Sequence, residues 1–321
     1  MPNNKAAFHQ AIYLTGPTAV GKSEIGLLLA EKLDAEIIAL DAMTLYKGMN
    51  IGTAKPSMAD QTQIRHHLID ILSAQSPSSL NQYIQLAQTV LTNIAERGKK
   101  ALFIGGSPLY LKACLRGLSE LPETDDLVRL ELTAEAEALG VTNLHARLSK
   151  IDPETASKIA STDLRRIVRA LEIYKISGEP PSLLRNRHNT LAPSTVPVIA
   201  LTRDRETLYD RINKRVEVMF ATGLLEEAAA LPQPLSHTAR QAVGYAEAFD
   251  LLEKKTTLAE AIERTQIRTR HYAKHQLTWF RNLKETKGFR IEPRPAHEQV
   301  HLILERIQAI ENSQESTSDP I

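Results

Sequence analysis

The residues with the clearest chemical purpose are Gly16-Pro17-Thr18-Ala19-Val20-Gly21-Lys22-Ser23. Their spacing fits G-x-x-x-x-G-K-[ST], a loop whose backbone N–H groups surround phosphate oxygens, whose Lys reaches the terminal phosphates and whose Ser or Thr hydroxyl sits on Mg²⁺. By itself the loop suits ATP or GTP and does not settle whether its phosphates belong to a nucleotide. A carboxylate follows at Asp41, closing the apolar run Glu36-Ile37-Ile38-Ala39-Leu40. Ligands of open α/β sheets bind beyond the carboxyl ends of the strands, which aims Asp41 at the loop; an Asp that only caps a turn is the alternative. A carboxylate beside a polyphosphate suits proton abstraction from an attacking nucleophile. Arg211 and Arg215 lie four apart on one helical face, where either would reach the phosphates or simply face solvent.

Three classes of protein accommodate these parts. In a kinase a hydroxyl attacks the terminal phosphoryl group; in a transferase a nucleophile attacks carbon and diphosphate leaves. A nucleotide-gated module without chemistry also uses the loop but gives Asp41 no role. The apolar run 100–104 ends in Gly105-Gly106-Ser107, where many phosphate-loop NTPases place an Asp for Mg²⁺. That weakens an ordinary ATPase reading and leaves a kinase open.

The elements that must carry these groups alternate at first. Strands are expected over 11–15, 36–41, 66–72 and 100–104, helices over 24–33 and 79–97, and a glycine-containing loop over 43–56. From 122 to 195 the alternation stops, with helical spacing over 126–139, 142–151, 153–160 and 163–177, then a polar loop carrying Arg185, Arg187 and His188. Residues 197–201 return to the strand pattern, followed by helices over 205–221 and 258–283. The expected architecture is therefore an α/β fold, a phosphate-loop parallel sheet flanked by helices, with an inserted all-helical subdomain. Its parts are a core over 1–121 and 196–310, an insert over 122–195 and a disordered tail over 311–321.

A net charge of +1 leaves no global field for a polyanion, so any nucleic-acid surface must be local. One cysteine, Cys114, allows neither an intrachain disulfide nor a zinc cluster, and no run approaches the roughly 18 apolar residues of a membrane span. A reducing cytoplasm is expected. Two cationic stretches stand out. Arg165, Arg166 and Arg169 fall within about a turn, above a stripe of Leu164, Ile167, Val168 and Leu171. The helix over 258–283 carries Arg264, Arg268, Arg270, Lys274 and Arg281, interleaved with aromatics of which Trp279 and Phe280 are expected to anchor in the core. Solvated faces are the alternative for both.

Taken in series, these blocks resemble the tRNA dimethylallyltransferases, the isopentenyl-transferring tRNA-modifying family. The resemblance runs through Gly16 to Ser23, Asp41, Tyr46 to Pro56, His66 to Asp70, Gly105 to Tyr110, Arg165-Arg166 with Arg169 to Glu172, Leu208 to Val216, Val243-Gly244-Tyr245 and Thr269 to Arg281. It implies transfer of a dimethylallyl group from dimethylallyl diphosphate to N6 of adenine 37 in tRNAs reading codons that begin with U. It further implies that Lys22 and the loop hold the diphosphate, that Ser23 helps place Mg²⁺, that Arg215 contacts the diphosphate and that Asp41 accepts the amine proton. Asp41, Ala42, Met43, Thr44, Ser107 and the segment Arg165, Arg166, Ile167, Val168, Arg169 align with positions that contact the anticodon stem-loop. A monomer is implied. Ala42 stands where the family usually has Ser, Thr44 where it usually has Gln, Asn50 for Asp, Ser107 for Thr and His275 for Arg or Lys. These differences touch RNA contacts rather than groups assigned to chemistry.

Overall fold

The computed structural model describes residues 5–118, 121–189 and 196–315. Six strands form one parallel sheet: β1 (Ile12–Thr15), β2 (Ala35–Ala39), β3 (His66–His67), β4 (Lys100–Gly105), β5 (Val198–Thr202) and β6 (Thr286–Arg290), in the order β3-β2-β4-β1-β5-β6. Parallel strands need crossovers and are covered on both faces, so their sequences are near-continuous apolar runs rather than alternating ones. Alternation appears instead in the destination of each side chain. Ile12 and Leu14 join a core with Leu29, Leu102, Ile199 and Ile212, whereas Tyr13 points to the opposite face and stacks on Phe103 at 4.7 Å between ring centroids.

The chain forms two compact units, Met1–Leu115 with Pro193–Ile321, and Arg116–Ala192. The sheet belongs to the first. The second is helical, with helices Asp126–Leu139, Val141–Ile151, Pro153–Ser157, Leu164–Ser177 and Pro181–Asn189 around Leu132, Leu144, Leu148, Ile167 and Leu171. The polar stretch expected as a loop around Arg185 is the last of these helices. It starts at Pro181, whose fixed φ and missing N–H suit a first helical position. Residues 190–195, at the expected end of the insert, lie outside the described residues.

Other differences have physical causes. β3 is only two residues long because Leu68 and Asp70 take positive φ angles of 61° and 54°, which turn the chain out of the sheet. β6 has no strand-like apolar run: Phe289 alone of Thr286–Arg290 is buried, as an edge strand allows. The final helix, Ala296–Glu315, extends into the expected disordered tail, so 311–315 are helical. The helix continues past its buried Val300, Ile303 and Ile307; 316–321 lie outside the described residues. Among the described residues, no helix is long and apolar enough to cross a membrane.

One ionic contact ties the β2–β3 edge to the following helix. The Arg97 guanidinium donates to both Glu36 oxygens at 2.8 Å, and His67 Nε2 meets the same carboxylate at 2.5 Å. The hydrogen bond from Arg97 is the main reason that Glu36 is held down at about 2. A lowered carboxylate pKa contributes stability that is complete above the ordinary glutamate range and disappears as pH falls through the folded value. Urea midpoints of wild type should therefore fall between about pH 4.5 and pH 2 more steeply than those of Glu36→Gln; parallel curves would remove Glu36 as a source of acid sensitivity.

Candidate active site

The phosphate loop joins β1 to the helix Lys22–Leu33, and its path is enforced by contact. Gly16 has φ +141°, and a Cβ there would lie 2.5 Å from the Leu201 carbonyl oxygen on β5, so a side chain is excluded. Gly21 caps the helix without a side-chain hydrogen bond. The first-turn amides and the positive end of the helix dipole therefore meet a cavity of about 590 Å³, lined in part by Gly21, Lys22 and Ser23.

Three arginines hold three successive loop residues. Arg215 Nη2 donates to Thr18 Oγ1 at 2.6 Å, Arg211 Nε to the Ala19 carbonyl at 2.8 Å, and Arg203 Nε to the Val20 carbonyl at 3.3 Å. Lys22 Nζ folds back to donate to the Gly16 and Pro17 carbonyls at 3.0 and 2.8 Å. Burial, helped by the Arg215 charge, pushes Lys22 down to about 7, and Asp41 opposes the shift. Burial, with Arg211 beside it, lowers Arg215 to about 10, so it stays cationic at neutral pH. Its Nε is the one buried side-chain polar atom among the described residues without a hydrogen-bond partner. An unmatched guanidinium N–H is expensive to bury, and the oxygens of a diphosphate are acceptors of the right charge.

Asp41 stands two residues beyond β2 and lines the same cavity. Its Oδ1 accepts the Met43 N–H at 2.8 Å, and Thr44 Oγ1 donates to its carbonyl at 3.2 Å. Burial raises its pKa; the Met43 hydrogen bond and Lys22 offset part of that rise. The lining also includes Leu27, Ile37, Ala39, Ile69 and Ile104. One cavity thus combines clustered cations, the Asp41 carboxylate with Glu24 and Asp60 also in the lining, and hydrocarbon walls; with the cations gathered at the loop, it suits a small amphiphile with an anionic head.

The structure gathers Thr18, Ala19, Gly21, Lys22, Ser23, Asp41, Thr44 and Arg215 around this cavity. Gly16, Pro17 and Val20 shape the loop from behind. Ala42 is half-buried beside Asp41, Met43 packs against an apolar cluster, and Ser107 is buried just after Gly106. In the helical unit, Arg165 and Arg166 are exposed, Arg166 pairing with Asp163, while Ile167 and Val168 are in the core. Arg169 is engaged inside its unit by Glu172 and the Pro122 carbonyl. Along this segment the arginine side chains that face solvent are therefore Arg165 and Arg166.

The long basic helix, Leu258–Asn282, divides in two. Arg264 pairs with Asp250, Arg268 with Glu247, and Arg270 donates to Asn213 Oδ1. Lys274 and Arg281 instead join Arg203, Arg205 and Arg290 around a second concavity of about 560 Å³. Phe280 anchors in the core as expected, but Trp279 is 42% exposed.

The family model for IPP transferase matches residues 44–283. The chain belongs to the IPP transferase family. A tRNA dimethylallyltransferase of Pelotomaculum thermopropionicum is 42% identical over 286 residues, 88% of this chain and 90% of that one. The crystal structure of the full-length tRNA isopentenylpyrophosphate transferase of Bacillus halodurans superposes with a TM-score of 0.68 at 35% identity, covering 96% of this chain and 99% of its own. A eukaryotic dimethylallyltransferase captured acting on tRNA gives 0.73 at 26% identity, covering 97% and 80%.

For this cavity and its loop the sequence patterns single out neither Gln276, Lys214 nor Arg203, and Tyr272 only as one of the aromatics of the basic helix. For Gln276 the signal is there: Thr269, Ala273, Gln276 and Phe280 form the helix's buried stripe, and a polar side chain on such a stripe needs partners.

The lowered Lys22 pKa makes a pH-dependent prediction. With its pKa lowered to about 7, Lys22 loses charge as pH rises past neutrality, whereas a bound diphosphate favours the charged form. Affinity for inorganic diphosphate should weaken as pH rises through about 7, with proton uptake on binding measurable by calorimetry in buffers of different ionisation enthalpy. Because Asp41 holds Lys22 up, Asp41→Asn should move this limb to lower pH. A pH-independent affinity would exclude Lys22 as the titrating contact.

Proposed function

We propose that the protein transfers a dimethylallyl group from dimethylallyl diphosphate to N6 of adenine 37 of tRNA, in tRNAs reading codons that begin with U, releasing diphosphate. The observation that carries this reading is the cavity in which Lys22, Arg215 and the loop amides share one lining with the Asp41 carboxylate and apolar side chains. Relatives aligned over most of the chain are named tRNA dimethylallyltransferases, not kinases, and the β4 ending at Gly105-Gly106 supplies no carboxylate of the kind many phosphate-loop NTPases use.

The loop amides, Lys22 and Arg215 bind the diphosphate and take up the negative charge that grows on it as the carbon–oxygen bond breaks. Leu27, Ile37, Ile69 and Ile104 are suited to the hydrocarbon and keep water from the reacting carbon. An exocyclic adenine amine is a weak nucleophile because its lone pair is delocalised into the ring. Asp41 therefore takes its proton as the new C–N bond forms, and the Met43 N–H fixes the direction of that carboxylate. The raised Asp41 pKa makes it a stronger base than an exposed aspartate.

Mg²⁺ fits this site in one way. Among the described residues no group of three His, Cys, Asp or Glu is arranged to hold a metal, so the protein would contribute the Ser23 hydroxyl, exposed at the cavity, and the diphosphate and water the remaining ligands. When bound, Mg²⁺ supplies charge neutralisation on the leaving group.

For the RNA, single-stranded anticodon loops allow a base to be splayed into a pocket. Arg165 and Arg166, and separately the cations of the second concavity, are suited to phosphate contacts in the anticodon stem-loop and predict salt-sensitive tRNA binding. The enzyme is proposed to act as a monomer in the cytoplasm.

Protein incubated with Mg²⁺, tRNA and isotopically labelled dimethylallyl diphosphate should yield labelled N6-isopentenyladenosine by nucleoside mass spectrometry. Movement of label from the γ-phosphate of ATP to a small molecule, without prenylated adenine, would establish a kinase instead. With saturating dimethylallyl diphosphate, Asp41→Asn should lose at least about a hundredfold in single-turnover rate, the usual scale of general-base catalysis, while its diphosphate affinity changes only through the shifted Lys22 limb; an unchanged rate removes Asp41 as the base.

A further inference from the structure

The Gln276 side chain is 2% exposed and makes two hydrogen bonds to main chain far away in sequence. Its Oε1 accepts the Thr18 N–H of the phosphate loop at 2.9 Å, and its Nε2 donates to the Gly106 carbonyl beyond β4 at 2.6 Å. One amide therefore joins the loop to the strand end beside it. We infer that Gln276 is a positioning residue that sets the phosphate loop for the diphosphate by bracing Thr18 against Gly106; the inference rests on the diphosphate reading of the loop.

The brace explains a feature of the sequence that the reaction alone leaves open. A Cβ at residue 106 would lie 2.4 Å from Gln276 Nε2 and 3.1 Å from the Gly16 carbonyl. The space that a side chain at this strand end would fill is occupied by the Gln276 amide. Gly106 is thus glycine because of what approaches it.

The consequences reach the reacting groups through Thr18. Its N–H is turned to Gln276 and its Oγ1 receives Arg215, so the residue is fixed from two sides. Both Gly16 and Pro17, the preceding residues, accept from Lys22. Releasing the Thr18 N–H frees the segment against which Lys22 and Arg215 are oriented. A neutral amide is the suitable brace because it both donates and accepts. A carboxylate of the same shape would oppose the Gly106 carbonyl and add negative charge near the diphosphate.

Gln276→Glu and Gln276→Ala should each raise KM for dimethylallyl diphosphate, and weaken inorganic diphosphate binding by calorimetry, about tenfold, the scale of one lost hydrogen bond to a buried group. KM for tRNA should change less than about twofold. Gly106→Ala should reproduce the loss when Gln276 is present. In the Gln276→Ala background it should add little, since the atom it would strike is gone. Thermal melting of every variant separates unfolding from misplacement, and Gly106→Ala keeps the test available if Gln276→Ala does not fold. Unchanged diphosphate affinity in Gln276→Glu and Gly106→Ala, or a loss confined to KM for tRNA, overturns the inference. Wild type that fails to bind diphosphate overturns the reading of the loop itself, a separate result.

Discussion

Concentrating positive charge around one buried loop is the constraint on which the rest of this structure depends. Lys22, Arg211 and Arg215 converge on one turn of backbone, with Asp41 the carboxylate that opposes them in the electrostatics of Lys22. Repulsion and burial both act against the charged forms, which is why Lys22 falls to about 7 and Arg215 to about 10. Loop carbonyls and the Thr18 hydroxyl accept hydrogen bonds from these cations and answer part of the charge. The charge those dipoles leave unanswered biases the site toward an anionic ligand.

Such bias requires a backbone that does not yield, and the sheet order provides it. β1 lies between β4 and β5, so the loop that leaves it is confined on both sides. Leu201 on β5 closes against Gly16, and Gly106 beyond β4 is bridged to Thr18 through Gln276. The helix Arg205–Ala221, which follows β5, brings Arg211 and Arg215 from the β5 side. Asp41 arrives from β2, on the other side of β4. The central strands thus bring together residues far apart in the chain, and the carboxyl ends of those strands are where they meet.

How much of this was legible follows from the range of each interaction. Gly16 to Ser23 and the apolar strands are local patterns, and they identified the fold and half of the cavity. Arg211 and Arg215 are visible as a pair, yet their spacing alone favours solvent; the family resemblance points Arg215 to the phosphates, and the return of β5 beside β1 puts both on the loop. β6 was invisible because an edge strand with one buried residue, Phe289, carries no hydrophobic signature. The long basic helix was misleading in a specific way. Its Arg264 and Arg268 answer Asp250 and Glu247, which sit on a different helix, so charge counted along one element overstated the surface free for RNA. Arg169 repeats the lesson within the helical unit, where Glu172 is fully buried and its carboxylate is served by Arg129 and Arg169.

The remaining wall of the cavity shows why a polar, glycine-containing stretch need not be a soft one. Residues 43–56 contribute Thr44, Thr53, Ala54 and Pro56 to the lining. The Glu227 carboxylate accepts the Asn50 and Ile51 N–H groups at 2.9 to 3.0 Å and the Tyr245 hydroxyl at 2.5 Å. Lys55 Nζ, in turn, donates to the Tyr46 carbonyl and to Asp70. Backbone donors that a loop would ordinarily offer to water are thus satisfied by buried or half-buried partners from other elements. This matters for the proposed chemistry because a hydrocarbon beside Ile37 and Ile104 would be protected from water only if the rest of the lining keeps its place. Charge at the loop and order in this wall are therefore complementary requirements of the proposed reaction: the first would hold the diphosphate, and the second would decide whether the carbon it leaves meets an amine or a water molecule.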